Sequence, residues 1–181
     1  MIARKRHVAS RYHRAGADFA VTVRLQQFSD EYATAVVELV HGILRDEFGF
    51  SGAAAEQTDL SDIRQHYGRG ANNFWIAVDE SGLVGTTGFV DLGRKQGLLR
   101  KMFVRSDCRG SGVAGLLLDN ALKWATARGF VEIYLGTNSK FHAAQRFYTK
   151  HGFVPISAES LPDAVPRLNL RDRFYLRSLT T

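Results

Sequence analysis

The spacing of apolar and polar positions along this chain changes period several times, and each change marks an element. Phe19, Val21, Val23 and Leu25 alternate with Ala20, Thr22 and Arg24, which puts one apolar face on a first strand. Val36, Val40, Ile43 and Leu44 then recur at helical spacing up to Gly49, with Ser29 as the expected N-cap and Asp30 and Glu31 in the first turn. A shorter helix is expected from Thr58 or Ser61 to about Tyr67. From Phe74 the period shortens: FWIAV is a continuous apolar run, Asp79-Glu80-Ser81-Gly82 reads as a turn, and a second run begins at Leu83. Gly93 and Gly97 bracket another turn before Leu98 to Val104, so three strands make an antiparallel meander.

The second half alternates helix and strand. A long helix from about Ser111 carries Val113, Leu117, Ala121 and Ala125 on one face and ends at Gly129, a suitable left-handed C-cap. Val131, Ile133 and Leu135 form a strand, Phe141 to Lys150 a helix, and Gly152 to Ile156 an extended segment, and Phe174 to Leu179 close the sheet. A helical crossover joining an antiparallel half to further strands requires a mixed sheet. The expected fold class is therefore α+β: a single domain with a mixed, mostly antiparallel central sheet of about 6–7 strands flanked by about four helices. Pro162 and Pro166 mark a loop before the last strand, not a domain boundary.

Length and charge narrow the picture. A chain of 181 residues has the size of one domain and buries about 70% of the surface its unfolded form exposes. Of the formal +6 charge, most sits at the start, where Arg4, Lys5, Arg6, Arg11 and Arg14 face Asp18 alone. Residues 1–18 thus read as a basic N-terminal extension, flexible and solvated, with the domain proper at 19–181. The remainder is nearly balanced and has no basic stripe, which argues against a nucleic-acid partner. No apolar run reaches the roughly 20 residues that span a bilayer. Cys108 is the one cysteine, and no Cys/His cluster has metal-ligand spacing, so no metal is expected and the reading is a cytoplasmic protein.

The strongest chemical signal is Arg109-Gly110-Ser111-Gly112-Val113-Ala114-Gly115, between a strand and a long helix. Glycines let the backbone approach a bulky anion, and the unpaired amides and dipole of the helix N-terminus favour its charge, so a diphosphate fits. Gly110, Gly112 and Gly115 also satisfy G-x-G-x-x-G, but the context is wrong for a dinucleotide fold. A polar stretch from Arg105 to Arg109 intervenes after the strand, the preceding strands form a meander, and Glu132 opens the next strand instead of ending it.

These residues resemble the GNAT superfamily of acyl-CoA-dependent N-acetyltransferases, whose signature of Arg or Gln, two residues, Gly, one residue, then Gly or Ala matches Arg109, Gly112 and Ala114. A second block, AAQRFYTKHGF, resembles the family's helix with Ala144, Tyr148 and a terminal Gly152-Phe153. The resemblance implies acetyl-CoA as cosubstrate and a small-molecule or peptide amine as acceptor, and dimers are common among such proteins. It implies that backbone groups of Met102 and Val104 pair with the pantetheine arm and that an amide near Phe103 meets the thioester carbonyl. It also implies that Gly110, Ser111, Gly112, Val113, Ala114 and Gly115 wrap the pyrophosphate, with Arg109 adding charge. Phe141 stands where many relatives have Asn, and Asn138 is the substitute expected to reach the arm. Tyr148 is the expected proton donor to the leaving sulfur. No base announces itself: Asp46, Glu47, Asp91 and His142 each read first as solvated groups. A non-catalytic acyl-CoA sensor is the competing reading.

Overall fold

The computed structural model describes residues 8–13, 20–50, 52, 57–167 and 171–179. Phe19, along with residues 1–7 and 14–18 of the expected extension, lies outside the described residues. Strands β1 (Val8–His13), β2 (Ala20–Gln27), β3 (Asn73–Asp79), β4 (Gly82–Gly93), β5 (Gln96–Val104), β6 (Glu132–Thr137), β7 (Val154–Ile156) and β8 (Arg173–Ser178) form one sheet. Their order is β1-β2-β3-β4-β5-β6-β8-β7. The sheet is mixed, as its sequence requires, with β5–β6 the one parallel pair among the described residues. Among the described residues it holds eight strands, one beyond the expected range, because Val8–His13 of the stretch expected to be flexible pairs antiparallel with β2. The last strand does not close the sheet either: β8 inserts between β6 and β7, leaving β7 at the edge.

Among the described residues four α-helices cover the two faces: α1 (Ala33–Gly42), α2 (Ile63–Tyr67), α3 (Val113–Ala127) and α4 (His142–Lys150). The apolar stripe of α3 buries Val113, Leu117, Leu118, Ala121, Leu122 and Ala125 against Val23, Trp75, Val84, Leu99 and Ile133. Gly85 permits that approach, since a Cβ there would stand 2.9 Å from Leu117. On the opposite face Val36, Val40 and Leu44 join Ile63, Tyr67, Phe74 and Ile76. The first helix differs from the expectation at both ends. Ser29 donates its hydroxyl to Glu31 (2.8 Å) instead of capping a backbone amide, and Ile43–Glu47 widen into a π-turn before Gly49 reverses the chain at φ +71°.

Two irregularities in β5 position everything that follows. The turn from β4 is a two-residue hairpin in which Arg94 and Lys95 both adopt positive φ, as a type I′ turn demands. Farther along, Lys101 and Met102 together stand opposite Thr87 alone, a bulge in which Lys101 takes φ +53°. The Thr86 hydroxyl donates to the Lys101 carbonyl (2.7 Å) and holds the bulge in place.

Candidate active site

Strand β5 pairs with β6 only from Gln96–Glu132 to Leu99–Leu135, and from there to Val104 it stays paired with β4 along its other edge alone among the described residues. Two parallel strands that part in this way leave unpaired backbone along the longer one. The gap opens into a cleft of about 760 Å³ bounded by β5, the N-terminus of α3, the end of β6, α4 and the π-turn after α1. Met102, Phe103 and Val104 line it from β5, Gly110, Gly112 and Ala114 from the loop and the start of α3, and Asn138 and Tyr148 from the far wall.

The loop has the backbone its glycines predict. Gly110 and Gly112 sit at φ +75° and +96°, where a side chain would be strained. A Cβ built on Gly110, Gly112 or Gly115 meets nothing within 4 Å, so this side of the loop faces open space. No side chain caps α3, whose N-cap is Gly112 itself. The first amides of Val113, Ala114 and Gly115 therefore keep their donors for another partner. Ser111 turns its hydroxyl to the Cys108 carbonyl, which fixes the loop and leaves its amide in the run. An uncapped helix start beside open space is a fit for a diphosphate, and so for the pyrophosphate of coenzyme A.

Arg109 borders the cleft, and its guanidinium is engaged by the protein itself. Its Nε donates to the Val104 carbonyl (2.9 Å), and its two terminal nitrogens clasp Glu47 at 2.6 and 2.8 Å. This fork ties the phosphate-type loop to the π-turn after α1. Asn138 is buried, and its Oδ1 accepts the Lys140 amide (3.0 Å), ordering the turn into α4. Of the candidate bases, Asp46 is taken by Arg45 and Glu47 by Arg109, while Asp91 accepts the Gly93 amide. None of the three borders the cleft, whereas His142 does, from the exposed side of α4.

Tyr148 is the buried residue of α4, with its ring edge-on to Phe153 at 5.7 Å. Burial pushes its phenol well above the ordinary value, and the nearby Arg171 cation partly opposes that shift. Cys108 is fully buried, as a small packed thiol should be.

Sequence reasoning missed a charged cluster at the deep end of the cleft. The bulge turns Lys101 inward, where its Nζ lies 2.9 Å from Asp59 Oδ1 and also donates to Gln57. Asp59 in turn accepts the Tyr67 hydroxyl, and Arg100 stands 3.5 Å from its Oδ2. Gly88 makes room for the Tyr67 ring, since a Cβ there would be 2.7 Å from it. Burial favours the neutral Asp59, but the Lys101 and Arg100 cations and the Tyr67 hydroxyl outweigh it and hold the carboxyl below its usual range. Burial lowers Lys101 to about 8 although Asp59 pulls the other way. The available signal was two cations, Arg100 and Lys101, inside the otherwise apolar run LLRKMFV.

Residues 37–153 match the family model described as Acetyltransferase (GNAT) family. A Mus musculus protein named probable N-acetyltransferase family 8 member 5 is 33% identical over 102 residues, covering 54% of this chain and 45% of that one. N-acetylaspartate synthetase of Xenopus tropicalis is 36% identical over 103 residues, 55% of this chain and 37% of its own. The chain thus spans about half the length, or less, of these curated relatives. Among solved structures, an acetyltransferase of the GNAT family from Staphylococcus aureus Mu50 superposes with TM-score 0.85 and 31% identity over 87% of this chain and 99% of that one. The PaiA N-acetyltransferase of Thermoplasma acidophilum, in complex with coenzyme A, shares the fold at TM-score 0.68 and 14% identity, over 87% and 99% of the two chains.

Proposed function

The chain belongs to the acetyltransferase (GNAT) family, and from that premise we propose that it transfers an acetyl group from acetyl-CoA to a primary amine by direct attack in a ternary complex. The observation that carries this reading is the continuous cleft from an uncapped, glycine-flanked helix start to a buried phenol, along a strand edge that β6 leaves unpaired.

When bound, acetyl-CoA supplies an acyl carbon activated as a thioester. Amides of Gly110, Ser111, Gly112, Val113, Ala114 and Gly115, with the α3 dipole behind them, hold the diphosphate. Backbone groups of Met102 and Val104 bind the pantetheine arm, with Asn138 on the opposite wall, and an amide near Phe103 polarises the thioester carbonyl. Arg109 serves this site indirectly, by fixing the loop to Glu47. The Tyr148 phenol donates a hydrogen bond to the departing sulfur. A phenol raised by burial stays protonated throughout the neutral range, although full transfer to a thiolate whose ordinary pKa is about 8.5 is uphill. The Arg171 cation eases that transfer.

An alkyl ammonium of pKa near 10.4 is neutral in roughly one molecule per few thousand at pH 7, so its proton needs a way out. No carboxylate among the described residues borders the cleft, and we assign the proton path to backbone carbonyls and water. Thiol release from acetyl-CoA, measured over a panel of amines with mass spectrometry of the products, tests the proposal. Acetylated amine accompanying each thiol released is expected. Tight acetyl-CoA binding with no turnover on any amine would instead indicate a sensor.

A further inference from the structure

The deep end of the cleft holds more positive charge than it can neutralise. Arg100, Lys101 and Arg171 all border it, and the carboxylate that faces them, Asp59, balances one of the three. Two guanidinium atoms are left over: among the described residues Arg171 NH1 and Arg100 Nε are buried without a hydrogen-bond partner. Buried donors of this kind are costly to leave unpaired, and a cation more so. Their position is not that of the phosphate loop. The Arg171 stem lies against Gly136 at the end of β6, where a Cβ would come within 2.7 Å of it, and Arg100 lies in β5 just past the last residue paired with β6. Both therefore stand where the two strands part. Arg100 joins the Asp59 network with Tyr67 of α2, on the face of the sheet opposite α3. Burial and the neighbouring Arg100 lower Arg171 to about 10, which still leaves it charged at neutral pH.

Resting on the acetyl-transfer reading above, we propose that the acceptor is an amine that also carries a carboxylate, of the α-amino-acid type, and that Arg171 and Arg100 hold that carboxylate beside the splayed strands. An anion there supplies the counter-charge and charge-assisted hydrogen bonds that the two orphaned donors lack. A purely cationic acceptor such as a diamine would bring positive charge into a cleft bordered by cations and by no carboxylate among the described residues.

Matched acceptors test this with the wild-type protein: phenylalanine against phenethylamine, lysine against cadaverine, and histidine against histamine, with thiol release from acetyl-CoA as readout. For at least one pair the amino acid is expected to exceed its decarboxylated partner by roughly 100-fold or more in kcat/KM. Arg171→Gln is expected to raise the KM for that amino acid by a similar factor while the acetyl-CoA Kd stays within about threefold, with Arg171→Lys intermediate. Equal or better use of the decarboxylated amines overturns the inference. So does the absence of turnover on every member while acetyl-CoA still binds by calorimetry, which leaves the cofactor site standing. Failure of acetyl-CoA to bind at all would instead remove the reading on which the inference rests.

Discussion

Burial keeps the Tyr148 phenol protonated well beyond neutral pH, so its contribution is that of a fixed hydrogen-bond donor with no titration of its own between pH 6 and 9. Tyr148→Phe is expected to lower kcat by roughly 10- to 100-fold in a thiol-release assay while the acetyl-CoA Kd changes less than about twofold. An unchanged kcat would take the residue out of the chemistry. Asp59 has the opposite dependence. Its folded carboxyl lies below the ordinary 3.8, so the unfolded chain takes up the proton first as the pH falls. The stability it confers is fully present above 3.8 and is lost as the pH drops through the lower, folded value. Asp59→Asn should therefore flatten the acid limb of stability below pH 3.8. Asp59→Ala, which leaves Lys101 and Arg100 buried without a counter-charge, should cost about 3–5 kcal/mol at pH 7 by urea denaturation.

Among the elements, α3 and the β5–β6 pair divide the work of binding and of holding the cleft open. Ala114 stands in the first turn of α3 and borders the cleft, so an acidic side chain there favours the helix dipole but repels a diphosphate. Ala114→Glu should leave the melting temperature unchanged or slightly raised, and weaken acetyl-CoA binding by roughly 100-fold or more in calorimetry. Gly97 serves the paired part of β5, where Phe89 lies across it: a Cβ would fall 2.1 Å from the ring. Gly97→Ala should destabilise the fold by about 1–3 kcal/mol in thermal or urea unfolding, through overpacking at the base of the splay. The hairpin before it was only partly legible, because Gly93 and Gly97 announced a turn but Arg94 and Lys95 are unusual residues for its left-handed centre.

For the molecule as a whole, what could be read in advance follows from how each feature is written in the chain. The meander, the crossover helix and the phosphate-type loop are local: apolar period, turn residues and glycines at positive φ all lie within a few residues of what they specify. The charged end of the cleft is not local. Gln57, Asp59, Lys101 and Arg171 come from segments far apart, and each has the letter of a surface residue. A one-residue bulge turns Lys101 inward, and β8 enters between β6 and β7 to bring Arg171 to the strand gap. Arg109 illustrates the same limit within a motif, since its position was legible and its partner Glu47, fixed by the π-turn, was not. Among the described residues no helix is long and apolar enough to cross a membrane.

The account depends above all on where the cosubstrate sits, and a crystal structure of the chain with coenzyme A tests that most directly. The diphosphate is expected on the amides of residues 110–115, with the pantetheine arm along Met102 to Val104 and its sulfur near the Tyr148 hydroxyl. A nucleotide bound on another surface, with the strand gap empty, would contradict it.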